Sequence, residues 1–150
     1  MIYQKFSRKV LKQVLWRLLV VNLLFSSSST LYAESIIANV SVGENVVSKN
    51  QLRLYFSQRL TQCKDGSAVK LIVLPDNHPL HLEFCNKVLS LYPYQLRKVW
   101  DRQVFSGTGQ TPITLDSEND VLDAVSRTPG SIGYVSGRTQ YDGIKILEME

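Results

Sequence analysis

The sequence predicts an α/β domain, a single layered lobe with a mainly parallel or mixed central sheet flanked by helices. Three observations carry that reading. Short β-branched runs alternate with segments of helical period, Gly, Pro, Asn and Asp mark the junctions, and the folded part, residues 34–150, is of a size for one core.

Taken in order, Ser35-Ile36-Ile37-Ala38-Asn39-Val40-Ser41-Val42 is a first strand, closed by Gly43. Ser48 is the N-cap of a helix whose Leu52, Tyr55, Phe56 and Leu60 share one face. Lys64-Asp65-Gly66 is a turn, and Val69 to Leu74 is a second strand. Pro75-Asp76-Asn77-His78-Pro79 breaks it and opens a helix with Leu80, Phe84, Val88 and Leu89 inward, since Pro suits the first helical turn. Tyr92 to Phe105 is a third helix with Leu96, Val99, Trp100 and Val104 on its buried side, and Tyr92 and Tyr94 read as rim. Ser106 to Pro112 is a loop. Ser117 caps a fourth helix, with Asp120 at the capping-box position and Val121, Leu122 and Val125 inward. Thr128-Pro129-Gly130 ends it, and Ser131–Ser136 and Ile144–Leu147 are the last strands.

The first 33 residues read as a cleavable secretory signal. Lys5, Arg8, Lys9, Lys12 and Arg17 precede the apolar run 18–25, and Ser26 to Thr30 lead to a small residue, Ala33, at the cut. Arg17 and Asn22 leave that run short of the roughly 20 apolar residues of a membrane span, and no Cys at the cut offers a lipid anchor. The expected location is the periplasm, with no stable membrane anchor after cleavage. The chain has 17 Lys and Arg against 13 Asp and Glu, but five of the cations and none of the acids lie in residues 1–33. The remainder has 12 against 13, a net of −1, so the basic pI of 9.1 belongs to the leader and gives no support to a nucleic-acid partner.

Cys63 and Cys85 are an even pair in an exported segment, which leaves two alternatives open, a disulfide or two buried thiols. His78, His81 and Cys85 fall on one helical face with Asp76 nearby, but match no metal-ligand spacing. The sequence assigns the histidines to the surface and calls for no metal and no cofactor. Asn39-Val40-Ser41 matches a glycosylation sequon inside a strand. No nucleophile elbow, paired carboxylates or metal motif stands out, so no enzyme activity is expected.

Thr128-Pro129-Gly130-Ser131-Ile132-Gly133-Tyr134-Val135 resembles the Pro-Gly-x-Ile-Gly-Tyr strand of the phosphate-type solute-binding proteins that serve ABC importers. The helix before it, and Leu52-Arg53-Leu54-Tyr55-Phe56-Ser57 upstream, are similar to that family's elements in the same order. The resemblance implies a stand-alone second lobe of a two-lobe fold, with the leader running directly into the crossover strand. It also implies a phosphate or related oxyanion as ligand, and a membrane transporter or sensor protein as partner. The family's anion-gripping Arg-x-Asp-Gly-Ser-Gly-Thr stretch falls on Leu74 to Leu80, where Asp76 keeps its place. Leu74, His78 and Leu80 replace the Arg, Ser and Thr, and Pro79 removes a backbone donor. Hydrogen bonds to charged groups are worth about 1.5–3 kcal/mol each, so the expected site is weak or degenerate. The candidate ligand residues are Asp76, Asn77 and His78, with Ser106 and Thr108 in the glycine-containing loop Ser106–Thr111 as a second anion cradle. The alternative is a cell-envelope interaction domain using the former cleft face, made apolar by Leu74, Pro75, Pro79 and Leu80.

Overall fold

The computed structural model describes residues 34–138 and 140–150; the expected secretory signal and its expected cleavage point lie outside them. The elements are β1 (Glu34–Asn39), β2 (Val46–Val47), α1 (Lys49–Phe56), β3 (Lys70–Val73), α2 (Pro79–Glu83) continued by π-helical turns Phe84–Leu89, α3 (Pro93–Phe105), β4 (Ile113–Thr114), α4 (Glu118–Arg127), β5 (Ser131–Ser136) and β6 (Ile144–Met149). They form one six-stranded sheet in the order β2-β6-β1-β5-β3-β4. β3 runs parallel to β5 and β4, whereas β1 is antiparallel to both β5 and β6, so the sheet is mixed.

Alternation along β5 places helices on both faces. On one side, the missing Cβ of Gly133 lets α4 pack down: a Cβ there would lie 3.2 Å from Val121 Cγ1 and Val125 Cγ2, and 3.0 Å from the Ile72 carbonyl oxygen. On the other side, Tyr134 stacks on Phe84 (centroids 3.9 Å apart, planes at 9°), and Phe56 meets Phe84 edge-on at 4.7 Å. Trp100 closes this layer by donating its indole N–H to the Phe56 carbonyl at 2.6 Å, satisfying a carbonyl that the end of α1 leaves free.

Several boundaries move for identifiable reasons. The first strand stops at Asn39, not Val42. The Asn39 amide donates to the Val125 and Ser126 carbonyls (2.9 and 2.8 Å) and accepts from the Ser41 N–H, which turns the chain. The sequon asparagine is therefore buried and fully engaged. The first helix ends at Phe56 because Gln58 takes a left-handed backbone (φ 55°), so Leu60 packs from a loop. The buried face of α3 comprises Leu96 and Trp100 but not Val104, which is 39% exposed. The two-residue edge strands β2 and β4 are too short to have any period a sequence can display.

Between β1 and α1, Glu44 is buried with its charge. Its Oε1 accepts from the Tyr55 hydroxyl (2.9 Å) and the Lys64 N–H (2.8 Å). Burial alone would raise its pKa, but these bonds hold it below the usual carboxylate value. Cys63 lies beside this carboxylate, which together with burial pushes the thiol up.

Gly130 has φ +76°, and a Cβ there would sit 2.3 Å from the Ala68 carbonyl oxygen. Gly130→Ala is expected to destabilise the domain by about 2–4 kcal/mol, read as a lower urea midpoint with an unchanged m-value.

Candidate functional site

Because β3, β4 and β5 are parallel, their carboxyl ends open at one edge of the sheet, and three connections meet there: residues 74–78, 115–117 and 136–138. In open α/β sheets this edge is where ligands are taken. A cavity of about 400 Å³ lies there, lined by His78, Asp116, Ser117, Glu118, Asn119 and Ser136 among others. Ser117 is fixed as the N-cap of α4: its Oγ accepts from the Asp120 N–H (3.2 Å) and donates to Asp120 Oδ2 (2.6 Å). Glu118 turns back to accept from both the N–H (2.6 Å) and the hydroxyl (2.7 Å) of Ser136, clamping α4 to the end of β5.

The connection after β3 holds Asp76, Asn77 and His78 at this edge; Asn77 is exposed, while the Asp76 carboxylate and His78 are engaged within the chain. Asp76 is held in a forked pair by Arg97, with Nε 3.1 Å from Oδ2 and Nη2 2.8 Å from Oδ1, and the guanidinium lies over Trp100 at 5.1 Å. The His78 N–H donates to the Pro75 carbonyl (2.9 Å), and His78 Nδ1 accepts from the Leu80 N–H (3.2 Å) as the cap of α2. Amides that would otherwise face an anion are thus consumed, and Asp116, Glu118 and Asp120 make the neighbourhood acidic. Leu74 and Leu80 are buried in the core, 0% and 6% exposed. This corrects the expectation that they make the cleft face apolar; only Pro75 and Pro79 reach the surface there.

Ser106 and Thr108 do not join this site. Their loop precedes β4 and so lies at the amino edge, about 13 Å away along the four residues of β3. A cavity of about 380 Å³ is lined by Gly107, Thr108 and Thr111 of this loop, but the loop's first amides are engaged within the chain. The amides of Ser106, Gly107, Thr108 and Gly109 donate at 3.0 Å to the carbonyls of Arg102, Val104 and Gln103, closing the C-terminus of α3. The two hydroxyls bond each other at 2.8 Å and Gln103 as well. A helix C-terminus is moreover the negative end of its dipole.

Behind the site lies a sealed polar cluster that includes His81, a residue the sequence assigned to the surface. His81 and Cys85 are both fully buried. The Tyr134 hydroxyl accepts from the Leu74 N–H at 3.0 Å and donates to His81 Nδ1. That leaves the proton on Nε2, which faces Cys85 Sγ at 3.5 Å and Asp76 Oδ1 at 3.8 Å. Burial pushes the Cys85 thiol up to about 12, with the Asp76 charge adding to it, so it is no nucleophile at neutral pH. Cys63 and Cys85 are both free thiols. The first faces Glu44 at the turn before β3 and the second faces His81 behind β5, so the disulfide alternative is not the one adopted. Among the described residues, no group of three or more His, Cys, Asp or Glu is arranged to hold a metal ion. Arg97 and Tyr134 went unrecognised as site residues because their partners are 21 and 53–60 positions away, and no spacing rule reaches that far.

No protein-family model matches the sequence, and no curated protein matches it. In three dimensions the chain is similar to solved phosphate-binding proteins. PstS from Borrelia burgdorferi aligns over 78% of this chain and 47% of its own, with a TM-score of 0.58 at 15% identity. A putative phosphate ABC transporter substrate-binding protein with bound phosphate, from Clostridium perfringens, aligns over 77% and 44%, with a TM-score of 0.63 at 12% identity. An ABC-type phosphate transport receptor from Vibrio cholerae aligns over 77% and 45%, with a TM-score of 0.57 at 10% identity. The chain spans less than half the length of each, and what it shares with them is the α/β fold.

Burial lowers the pKa of His81 from its ordinary 6.5 to about 4, with Asp76 opposing and Arg97 and His78 assisting. Between these values the unfolded chain binds a proton that the folded chain refuses. Stability is therefore expected to fall by about 3 kcal/mol as the pH drops from 6.5 to 4, and His81 contributes no pH dependence above that window. Urea midpoints across this range should fall less steeply in His81→Gln than in the native protein.

Proposed function

We propose that this chain is an envelope lobe of the phosphate-binding-protein fold, located in the periplasm after loss of residues 1–33, and accessory to oxyanion uptake or sensing. The observation that carries this reading is the position of the cavity bounded by His78, Ser117, Asn119 and Ser136. It lies at the carboxyl ends of the parallel strands and at the N-terminus of α4, where the helix dipole favours an anion. The fold shared with a phosphate ABC transporter substrate-binding protein holding bound phosphate, and with an ABC-type phosphate transport receptor, supports the ligand class.

The same geometry argues for weak binding. Arg97 is committed to Asp76, the Leu80 amide is capped by His78, and Asp116 and Glu118 line the cavity. Like-charge contacts in partly desolvated surroundings cost more than the helix terminus returns. A membrane transporter or a sensor supplying further contacts to the anion is the natural partner on this reading. The alternative, an envelope interaction domain that binds no anion, is favoured by the self-satisfied state of Asp76 and His78 alone.

Calorimetric titration with phosphate and sulfate is expected to give dissociation constants no tighter than about millimolar, weakened further in Ser117→Ala; this corresponds to about 4 kcal/mol of binding. A micromolar constant for phosphate would contradict the degenerate site. Complete absence of saturable binding, with specific retention of an envelope protein, would select the alternative.

A further inference from the structure

Helix α3 has two unlike faces. Leu96 and Trp100 point into the core, while Tyr94, Lys98, Asp101, Arg102 and Phe105 are exposed. At 100° per residue these five fall within an arc of about 100°, opposite the buried pair, and Tyr94 and Phe105 stand about 17 Å apart along the axis. Phe105 is 90% exposed, the most exposed of the large apolar side chains in the described residues. At the other end Tyr92 and Tyr94 are more than half exposed and stack on each other at 5.9 Å with planes 16° apart; Lys98 Nζ lies 5.7 Å over the Tyr94 ring. Neither Lys98 nor Arg102 forms an ion pair among the described residues, and Asp101 is the only acid on the helix.

We infer that this outer face of α3 is a docking surface for an anionic lipid bilayer. The charge is complementary: on this face Lys98 and Arg102, neither ion-paired among the described residues, outnumber Asp101, giving a locally positive stripe in a segment, residues 34–150, whose net charge is −1. Tyrosines and a phenylalanine flanking Lys and Arg match the interfacial zone, where rings enter the headgroup layer and long cationic side chains reach the phosphates. The shape separates a bilayer from a protein. The stripe is a convex ridge with its aromatic groups at the two ends, which a deformable planar surface accepts whereas a folded partner needs a matching groove. The contact is peripheral, since no helix among the described residues is long and apolar enough to cross a membrane.

The test is co-sedimentation of the full chain with vesicles of phosphatidylcholine containing 30 mol% phosphatidylglycerol, and with phosphatidylcholine alone. Every variant shares residues 1–33, so differences among them report on α3. The native chain is expected to prefer the anionic vesicles and to be released as salt rises from about 50 to 500 mM. Phe105→Ser and the double variant Lys98→Glu/Arg102→Glu should each lower partitioning about tenfold or more. Both changes are at exposed sites, and unchanged urea midpoints would confirm intact folding. Equal binding to the two vesicle types, or variants that partition like the native chain, would overturn the inference. Loss of vesicle preference with salt-sensitive binding to poly-glutamate would overturn it in favour of an acidic protein partner.

Discussion

The phenol of Tyr134 is the interaction on which the rest of this lobe depends. A buried hydroxyl must have its hydrogen bonds, and this one finds them on two elements at once. It accepts from the Leu74 N–H, the first amide beyond β3, and donates to His81 on α2. The centre of β5 is thereby tied to the point where β3 becomes a loop and to the helix that follows. The ring stacks flat on Phe84, and Phe56 and Trp100 complete the layer. Gly133, one residue earlier, faces the opposite side and admits α4 at close range. The Gly-Tyr pair therefore seats one helical layer on each face of the sheet, which explains why that short motif stands out in the sequence.

The same arrangement governs the carboxyl edge. With Leu74 held by Tyr134, the chain turns through Pro75 and His78 with its amides spent on local bonds, and Asp76 is directed to Arg97. An anion site needs donors left unsatisfied until the ligand arrives. Here the His78 and Leu80 amides are already bonded within the chain, and the carboxylates of Asp116, Glu118 and Asp120 add negative charge. The fold is maintained by buried packing, whereas an anion grip at this edge would rest on a few polar groups at its rim.

Legibility followed the range of the interactions. Ser48, Ser117 and Pro79 mark helix starts because a cap acts within three residues, and each does so in the structure. The buried faces of α1 and α4 were legible from their period. The position of Asp76, Asn77 and His78 at the carboxyl edge of the parallel strands was legible from their place after a strand, yet the companion of Asp76 lay beyond any local pattern. Ser106 and Thr108 looked like an anion cradle because Gly107 and Gly109 permit one. What they form is a helix C-cap, a structure with the same composition and the opposite electrostatic sense.

The sequence by itself determined the α/β class, the helix starts, the strand cores and the position of the 74–78 loop at the carboxyl ends of the strands, since all of these arise from periodicity and from contacts a few residues apart. Only the tertiary structure decided that His81 and Cys85 are interior, that the two thiols have separate partners, and that the two candidate loops lie at opposite edges. The physical reason is that burial and pairing are set by strand order, and strand order here brings together residues 20 to 100 positions apart, a separation at which composition carries no record of who meets whom.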